Sequence, residues 1–443
     1  MNRVIVFLTA ACMGGGSAVF AGEPQISGTL NFENVTGARI NQAVAEEASN
    51  EKEVDFGDFD NDGDLDVVIA VAHSDFGQRR NKLYRNNNGV FNEVSGAPLI
   101  PGFSSTDVSR NIFFRDFTGD GFLDIWVTND GNTSGNGGTD KLYVAQVVKG
   151  EVVKFEPINQ AGDGGANCGN LTRSPECSSV AVDFDLDGTI DLWLGNYPNQ
   201  SQDFLRFNDG FGNFSLLGAG ALVPNDCDYT VDISTADMNG DGTMDILISN
   251  WGFNFGPNKL YYNNRNGLGS FDGDFNYTGS VLVLGNASTE ENAMEPGDFD
   301  GDGDMDIYWT NVVGPGDRVL SSTVNKDGTV NFVTIGNLPR SVATRITRKP
   351  TVLDLNGDGR VDLVVGAESG SNSRPTILRN TTVNGEISFV DWTPGDEFPN
   401  GSVHKGWHAA VFDSNGDGDP DIFLGGWAND HLFENVPSNE MTE

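Results

Sequence analysis

The sequence predicts an all-β protein folded as a seven-bladed β-propeller, and three observations carry that expectation. A nine-residue acidic motif, Asp-x-[Asp/Asn/Thr]-x-Asp-Gly-x-x-Asp, recurs seven times, beginning at Asp58, Asp116, Asp183, Asp237, Asp298, Asp354 and Asp413. The starts are 58, 67, 54, 61, 56 and 59 residues apart, a period of blade size. Four short strand-like runs surround each copy, and the chain's 57 glycines supply the turns between them. A length of 443 residues would by itself suggest two or three domains, but the repeat overrides that reading.

Each element follows from its local pattern. A short strand precedes every loop, as in Val54-Asp55-Phe56-Gly57 and Val352-Leu353. A dense apolar strand follows it: Val67-Val68-Ile69, Ile125-Trp126-Val127, Leu192-Trp193-Leu194, Ile246-Leu247-Ile248. These runs do not alternate, so both faces are expected to be buried, as packed blades require. Lys82-Leu83-Tyr84, Lys141-Leu142-Tyr143 and Lys259-Leu260-Tyr261-Tyr262 mark third strands, and an Asn/Gly turn leads to fourth strands such as Val90–Val94. After the seventh loop the chain has only a second and a third strand, the latter at His431–Val436. Leu30–Thr36 has the pattern of the missing fourth strand and would close the ring, removing both open edges. Gln42–Glu53 reads as a short helix or a loose connector.

The loop spacing has a chemical meaning. Carboxylates or amides at positions 1, 3, 5 and 9 converge on one centre, position 7 adds a backbone carbonyl, and Gly at position 6 permits the sharp turn. The expected ligands are Asp58, Asp60, Asp62, Asp64 and Asp66 in the first loop and Asp116, Thr118, Asp120, Phe122 and Asp124 in the second. The third offers Asp183, Asp185, Asp187, Thr189 and Asp191; the fourth offers Asp237, Asn239, Asp241, Thr243 and Asp245. The fifth offers Asp298, Asp300, Asp302, Asp304 and Asp306, the sixth Asp354, Asn356, Asp358, Arg360 and Asp362, and the seventh Asp413, Asn415, Asp417, Asp419 and Asp421. Hard oxygen ligands at this density select calcium, up to seven ions, one in every blade. Position 12 is an apolar strand residue such as Ile69 or Val127, not the Glu of an EF-hand, so Asp at position 9 is expected to close the site. The loops at Asp58, Asp183 and Asp298 carry the most carboxylates, and the Thr118 loop is the poorest.

With these loops and the flanking Lys82-Leu83-Tyr84-Arg85-Asn86 and Val90-Phe91, the chain resembles the FG-GAP/VCBS repeat family, whose best-known relatives are the integrin α-subunit propellers. The resemblance covers essentially residues 28–437. Integrins carry calcium loops in only some blades, whereas all seven repeats here have one, and no integrin-like leg domains follow. The resemblance implies a calcium-rigidified extracellular binding platform.

Charge and the remaining motifs bound the function. With 26 basic and 64 acidic residues the net charge is −38, which argues against nucleic acid or an anionic membrane as partner. Residues 1–21 read as a secretory signal: Arg3, an apolar run from Val4 to Ala11, and Val19-Phe20-Ala21 before Gly22. Residues 22–443 then form a single propeller, secreted or at the cell surface, and no other stretch is long and apolar enough to span a membrane. Cys12 loosely resembles a lipid-acceptor site. Cys168, Cys177 and Cys227 leave at least one cysteine outside any intrachain pair. The four histidines fall in the first and seventh repeats, which closure would make neighbours. His404, Trp407, His408, Trp427 and His73, with Lys405 nearby, therefore form the candidate ligand site, on the face away from the acidic loops. The expected partner is an extracellular glycan or protein bound without catalysis. The alternative is a carbohydrate-active propeller enzyme, such as a polysaccharide lyase using one His as base.

Overall fold

The computed structural model describes residues 32–41, 49–74, 81–103, 109–129, 140–159, 176–196, 203–216, 230–250, 256–263, 281–284, 290–313, 316–335, 338–339, 346–369, 375–393, 406–426 and 430–436. They form seven antiparallel blades. Blade one is β3 (Ser49–Gly57), β4 (Asp66–Ser74), β5 (Lys82–Asn87) and β6 (Val90–Glu93). It is preceded by β1 (Phe32–Asn34), the single turn α1 (Thr36–Arg39) and β2 (Ile40–Asn41), which pairs in parallel with β6. Blade two is β7 (Ser109–Arg115), β8 (Asp124–Asn129), β9 (Lys141–Val148) and β10 (Glu151–Asn159). Blade three is β11 (Glu176–Val182), β12 (Asp191–Asn196), β13 (Phe204–Asn208) and β14 (Phe214–Leu216); blade four is β15 (Thr230–Ala236), β16 (Asp245–Asn250), β17 (Lys259–Tyr261) and β18 (Val281–Val283). Blade five is β19 (Glu290–Gly297), β20 (Asp306–Val313), β21 (Arg318–Val324) and β22 (Val330–Ile335). Blade six is β23 (Ile346–Leu353), β24 (Asp362–Ser369), β25 (Thr376–Asn380) and β26 (Phe389–Asp391), and blade seven opens with β27 (Gly406–Phe412), β28 (Asp421–Gly426) and β29 (His431–Asn435).

Blade seven receives its fourth strand from the other end of the chain. β1 pairs antiparallel with β29, Phe32 opposite Asn435 and Asn34 opposite Phe433. The first strand of each blade is innermost: β3, β7, β11, β15, β19, β23 and β27 touch their neighbours in turn, and β27 returns to β3. The seam between blades seven and one is locked by a buried cluster. Lys82 Nζ of β5 lies 2.9 Å from Asp430 Oδ2, and the Tyr84 hydroxyl donates to the same oxygen at 2.7 Å.

The second strands are buried on both faces, as their unbroken apolar runs require: Val67, Val68, Ile69, Ile125, Leu192, Trp193, Ile246 and Leu247 are all fully buried. Between blades they meet the apolar side chain at loop position 2. Phe59 packs against Phe114 and Phe155 of the next blade, and Phe117 against Trp126 and Phe214. Each such burial stabilises the ring by about 1.5–3 kcal/mol. The segment read as a short helix or connector is different: Ser49–Glu53 begin β3, and the helical turn lies earlier, at Thr36–Arg39. Glu is disfavoured in strands, but Glu53 lines the central channel, where it pairs with His408.

Candidate functional site: seven acidic loops and a charged central channel

All seven acidic loops join the first strand of a blade to its second, so they crowd one end of the propeller. Gly at position 6 has φ between +83° and +99° in every loop, a conformation that side chains with a Cβ rarely adopt. Position 1 organises the turn: Asp58 accepts N–H groups of Asp62 and Gly63 at 3.1 and 3.0 Å, and Asp116, Asp183, Asp237, Asp354 and Asp413 repeat the pattern. Position 5 accepts the N–H of position 7, as Asp120 does from Phe122.

Position 9 does more than face the loop. Asp66, Asp124, Asp191, Asp245, Asp306, Asp362 and Asp421 are fully buried. In each, one oxygen accepts the N–H of loop position 2, and the other an N–H of the third strand. For Asp66 these are Phe59 at 3.0 Å and Asn86 at 2.8 Å; for Asp245 they are Met238 at 2.9 Å and Asn263 at 2.8 Å. Burial pushes these carboxyls up, to about 9 for Asp66 and about 7 for Asp124, Asp191, Asp306, Asp362 and Asp421, and nearby loop carboxylates push the same way. A cation among them would favour the ionised forms.

Three loops gather carboxylate oxygens closely enough to share an ion. Oxygens of Asp58, Asp60 and Asp62, of Asp183, Asp185 and Asp191, and of Asp298, Asp300 and Asp302 lie within 4.8 Å of one another. These are the three loops with a carboxylate at each of positions 1, 3, 5 and 9. Burial, with like-charge repulsion beside it, raises Asp58, Asp60, Asp183, Asp185 and Asp300 above their ordinary range. Asp60 Oδ1 is buried without a hydrogen-bond partner. The residues present therefore fit a hard divalent cation. In two loops an internal cation already sits on a carboxylate: Arg85 Nε lies 2.8 Å from Asp60 Oδ2 in the first, and in the sixth Arg360, at position 7, and Arg379 place guanidinium groups 2.5 and 3.3 Å from Asp358 Oδ2.

One signal was not read from the sequence. Asn86, Asn208, Asn263 and Asn380, at equivalent points near or just past the end of the third strand, donate from Nδ2 to the position-2 carbonyl of the preceding blade's loop. The acceptors are Ser414, Phe117, Phe184 and Phe299, at 2.8–2.9 Å. The same asparagines' backbone N–H groups bind their own blade's position-9 Asp. Each of these loops is thus tied to two blades.

The other end of the same inner strands builds a channel. A cavity of about 220 Å³ is lined by residues of all seven. Five residues before each loop the strands place Glu53, Asn111, Ser178, Asp232, Ala293, Lys349 and His408. A register irregularity lies just before or at this position in every inner strand; Glu53, Asn111, Lys349 and His408 line the cavity, and blade five lines it with Glu295, three residues before its loop. His408 of blade seven and Glu53 of blade one lie 3.0 Å apart, across the closing seam. Of the other candidate ligand residues, Trp407 and His73 sit in β27 and β4 with only their backbone described. His404, Lys405 and Trp427 lie outside the described residues, as do residues 1–21, Cys168 and Cys227; Cys177 is in β11. Among the described residues no helix is long and apolar enough to cross a membrane.

The FG-GAP-like repeat family matches the chain at residues 58–127, 183–248 and 354–424. Cartilage acidic protein 1 of Mus musculus is 24% identical over 337 residues, covering 70% of this chain and 47% of its own length. The Homo sapiens protein of that name is also 24% identical, with 70% and 46% covered. The chain thus spans about half the length of the curated relatives it matches. A solved lectin from Agrocybe aegerita, described as recognising non-reducing terminal N-acetylglucosamine, superposes with a TM-score of 0.52 at 15% identity. It covers 88% of this chain and 90% of its own, a likeness of fold.

Proposed function

We propose that this chain, an FG-GAP-repeat β-propeller, is an exported, calcium-stiffened binding module whose ligand is an extracellular glycan or protein. The observation that carries the reading is the convergence of three carboxylates in each of the loops at Asp58, Asp183 and Asp298, all at one end of the ring. Calcium bound there would neutralise groups that burial and mutual repulsion otherwise disfavour as anions, and would pin the first two strands of each blade. The remaining loops would bind more weakly, and the sixth least, because Arg360 and Arg379 compete for Asp358.

The asparagine ties make the effect of an ion in the loops at Asp183 and Asp298 reach beyond its own blade. A loop ordered by calcium would fix the carbonyl that the next blade's Asn grips, so stiffness would spread around the ring. That would present the loops of the opposite end in one arrangement, which is what a binding surface needs. The lectin that shares the fold recognises a terminal sugar, which makes glycans the first ligands to screen.

The test is a glycan array and a solid-phase screen of matrix proteins, each run in calcium and in chelator, alongside calorimetric titration of calcium. The reading expects at least three calcium ions per chain and ligand binding that is lost in chelator. Absence of calcium uptake at millimolar concentration would remove the first half of the reading. Ligand binding indifferent to chelator would remove the link between the two halves.

A further inference from the structure

The central channel contains a charge cluster that neither the loops nor the proposed outer surface uses. Lys349 Nζ, on β23, lies 3.3 Å from Asp232 Oδ1 of β15 and 3.6 Å from Glu295 Oε1 of β19. Asp232 is only 6% exposed, and its Oδ1 also accepts the Ser178 hydroxyl at 3.5 Å. Glu53 pairs with His408 at 3.0 Å. Asp55 and Arg115, at 3.1 Å, neutralise each other nearby. Three carboxylates, Glu53, Asp232 and Glu295, thus surround one ammonium, that of Lys349. Asp232 Oδ2 and Glu295 Oε1 are buried and accept no hydrogen bond.

Packing alone does not account for this arrangement. At loop position 2 the repeats hold mostly Phe or another apolar residue, because one task recurs seven times. Five residues before the loop the seven blades hold seven different residues, Glu53, Asn111, Ser178, Asp232, Ala293, Lys349 and His408, of which Glu53, Asn111, Lys349 and His408 line the cavity. Buried charges cost stability unless fully paired, and two oxygens here have no hydrogen bond. The cavity beside them is about 220 Å³, room for about seven waters at ~30 Å³ each. Its remaining wall is largely apolar, including Val54, Phe56, Ile112, Phe113, Val180 and Pro350.

We propose that the central channel is a binding site for a small organic amine, its ammonium taken by Glu295 beside Glu53 and its apolar body packed on the channel wall. Four carboxylates, Glu53, Asp55, Asp232 and Glu295, face Lys349, Arg115 and the imidazole of His408, and the remaining excess of negative charge selects a cation. The apolar wall selects an organic cation over a metal ion, and the volume limits it to a single small ring or short chain. Burial raises Glu295 and Asp232 above the ordinary carboxylate range, and an arriving ammonium would favour their ionised forms. Lys349 stays charged: burial lowers it, and Asp232, Glu53 and Glu295 more than compensate.

The site is separate from the calcium loops, so its test stands whether or not the calcium reading holds. Calorimetric titration of the full chain would use benzylammonium and n-butylammonium, with benzyl alcohol and n-butanol as neutral counterparts. The expected result is one amine per chain, bound about tenfold or more tighter than the matching alcohol, the factor a charged hydrogen bond supplies. Proton release should show as a dependence of the measured heat on buffer. Glu295→Gln should weaken the amine about tenfold or more. Lys349→Met, which removes the resident cation, should strengthen it and make the melting temperature rise more with amine than in the parent. Opposite signs in these two variants separate binding from damage to the fold. Equal affinity for amine and alcohol, no heat with either amine, or an unchanged affinity in Glu295→Gln would overturn the proposal.

Discussion

Removing calcium should be the perturbation to which this fold is most sensitive. Three loops gather three carboxylates each within 4.8 Å. Extracellular sites of such oxygen ligands have Kd values of roughly 10⁻⁴–10⁻³ M. At about 10 mM free calcium and a Kd of about 10⁻⁴ M, each site stabilises the folded state by about 2.7 kcal/mol. Three independent sites give about 8 kcal/mol, comparable with the whole stability of an ordinary domain, about 5–15 kcal/mol. For a chain of 443 residues the entropy of melting is about 0.9 kcal/mol per kelvin, so the expected fall in Tm on adding chelator is about 9 °C. Differential scanning calorimetry in calcium and in EDTA measures it directly. A triple variant, Asp60→Ala, Asp185→Ala and Asp300→Ala, should melt in calcium near the chelated parent and respond little to EDTA. Those residues lie in separate blades, so their effects should add. If the parent's melting curve is the same in chelator, or if the triple variant keeps the full calcium response, the convergence of carboxylates is only turn chemistry and the reasoning fails.

The calcium-free protein should show an inverted pH dependence. Burial raises the position-9 carboxyls above the ordinary 3.8, to about 9 for Asp66 and about 7 for Asp124, Asp191, Asp306, Asp362 and Asp421, so the folded state holds extra protons, and stability falls as pH rises from about 4 through that range. In EDTA, Tm should rise between pH 8 and pH 6; in saturating calcium it should fall over the same interval, because protons then compete with the metal. Two curves of the same slope would contradict this. Asn380→Ala leaves the Phe299 carbonyl and the Thr382 N–H without their 2.9 Å partners; two unpaired buried groups should cost about 2–4 kcal/mol in denaturant melts, while Asn331→Ala on an exposed face should stay within about 0.5 kcal/mol. Lys82→Met leaves the fully buried Asp430 without its ammonium at the ring seam. A loss of about 3–5 kcal/mol is expected, and a loss under about 1 kcal/mol would show that the Lys82–Asp430 pair does not hold the seam. Arg360→Ala should raise the number of calcium ions bound or tighten the weakest site in equilibrium dialysis, since it withdraws one guanidinium from Asp358. Unchanged calcium binding would show that the arginine does not compete.

What was legible in the sequence was what repeats. The acidic loops stand out because position 6 demands glycine and positions 1, 5 and 9 demand Asp, whatever the blade. The second strands stand out because burial on both faces leaves no polar residue to break the run. The asparagine ties escaped because the turns between second and third strands vary in length. Asn86 follows Asp66 by 20 residues but Asn208 follows Asp191 by 17, so no fixed spacing marks them. The channel ring escaped for a different reason. Glu53 and Lys349 are at a constant offset of five from the loops, yet their inward direction depends on a bulge in each inner strand. A one-residue slip sends a side chain to the opposite face. Charged residues such as those at 51–53 consequently read as a connector, when they begin the innermost strand of blade one. Of the five residues grouped as a ligand site from the sequence, His408 is the one whose side chain the structure describes. It lies at the seam, against Glu53, inside the channel rather than in a surface loop. The physical division follows from this. Where seven blades do the same work, the same residues recur and the pattern is visible. Where the ring must recognise something without sevenfold symmetry, the blades have to differ, and the informative residues are the ones at which the repeat breaks.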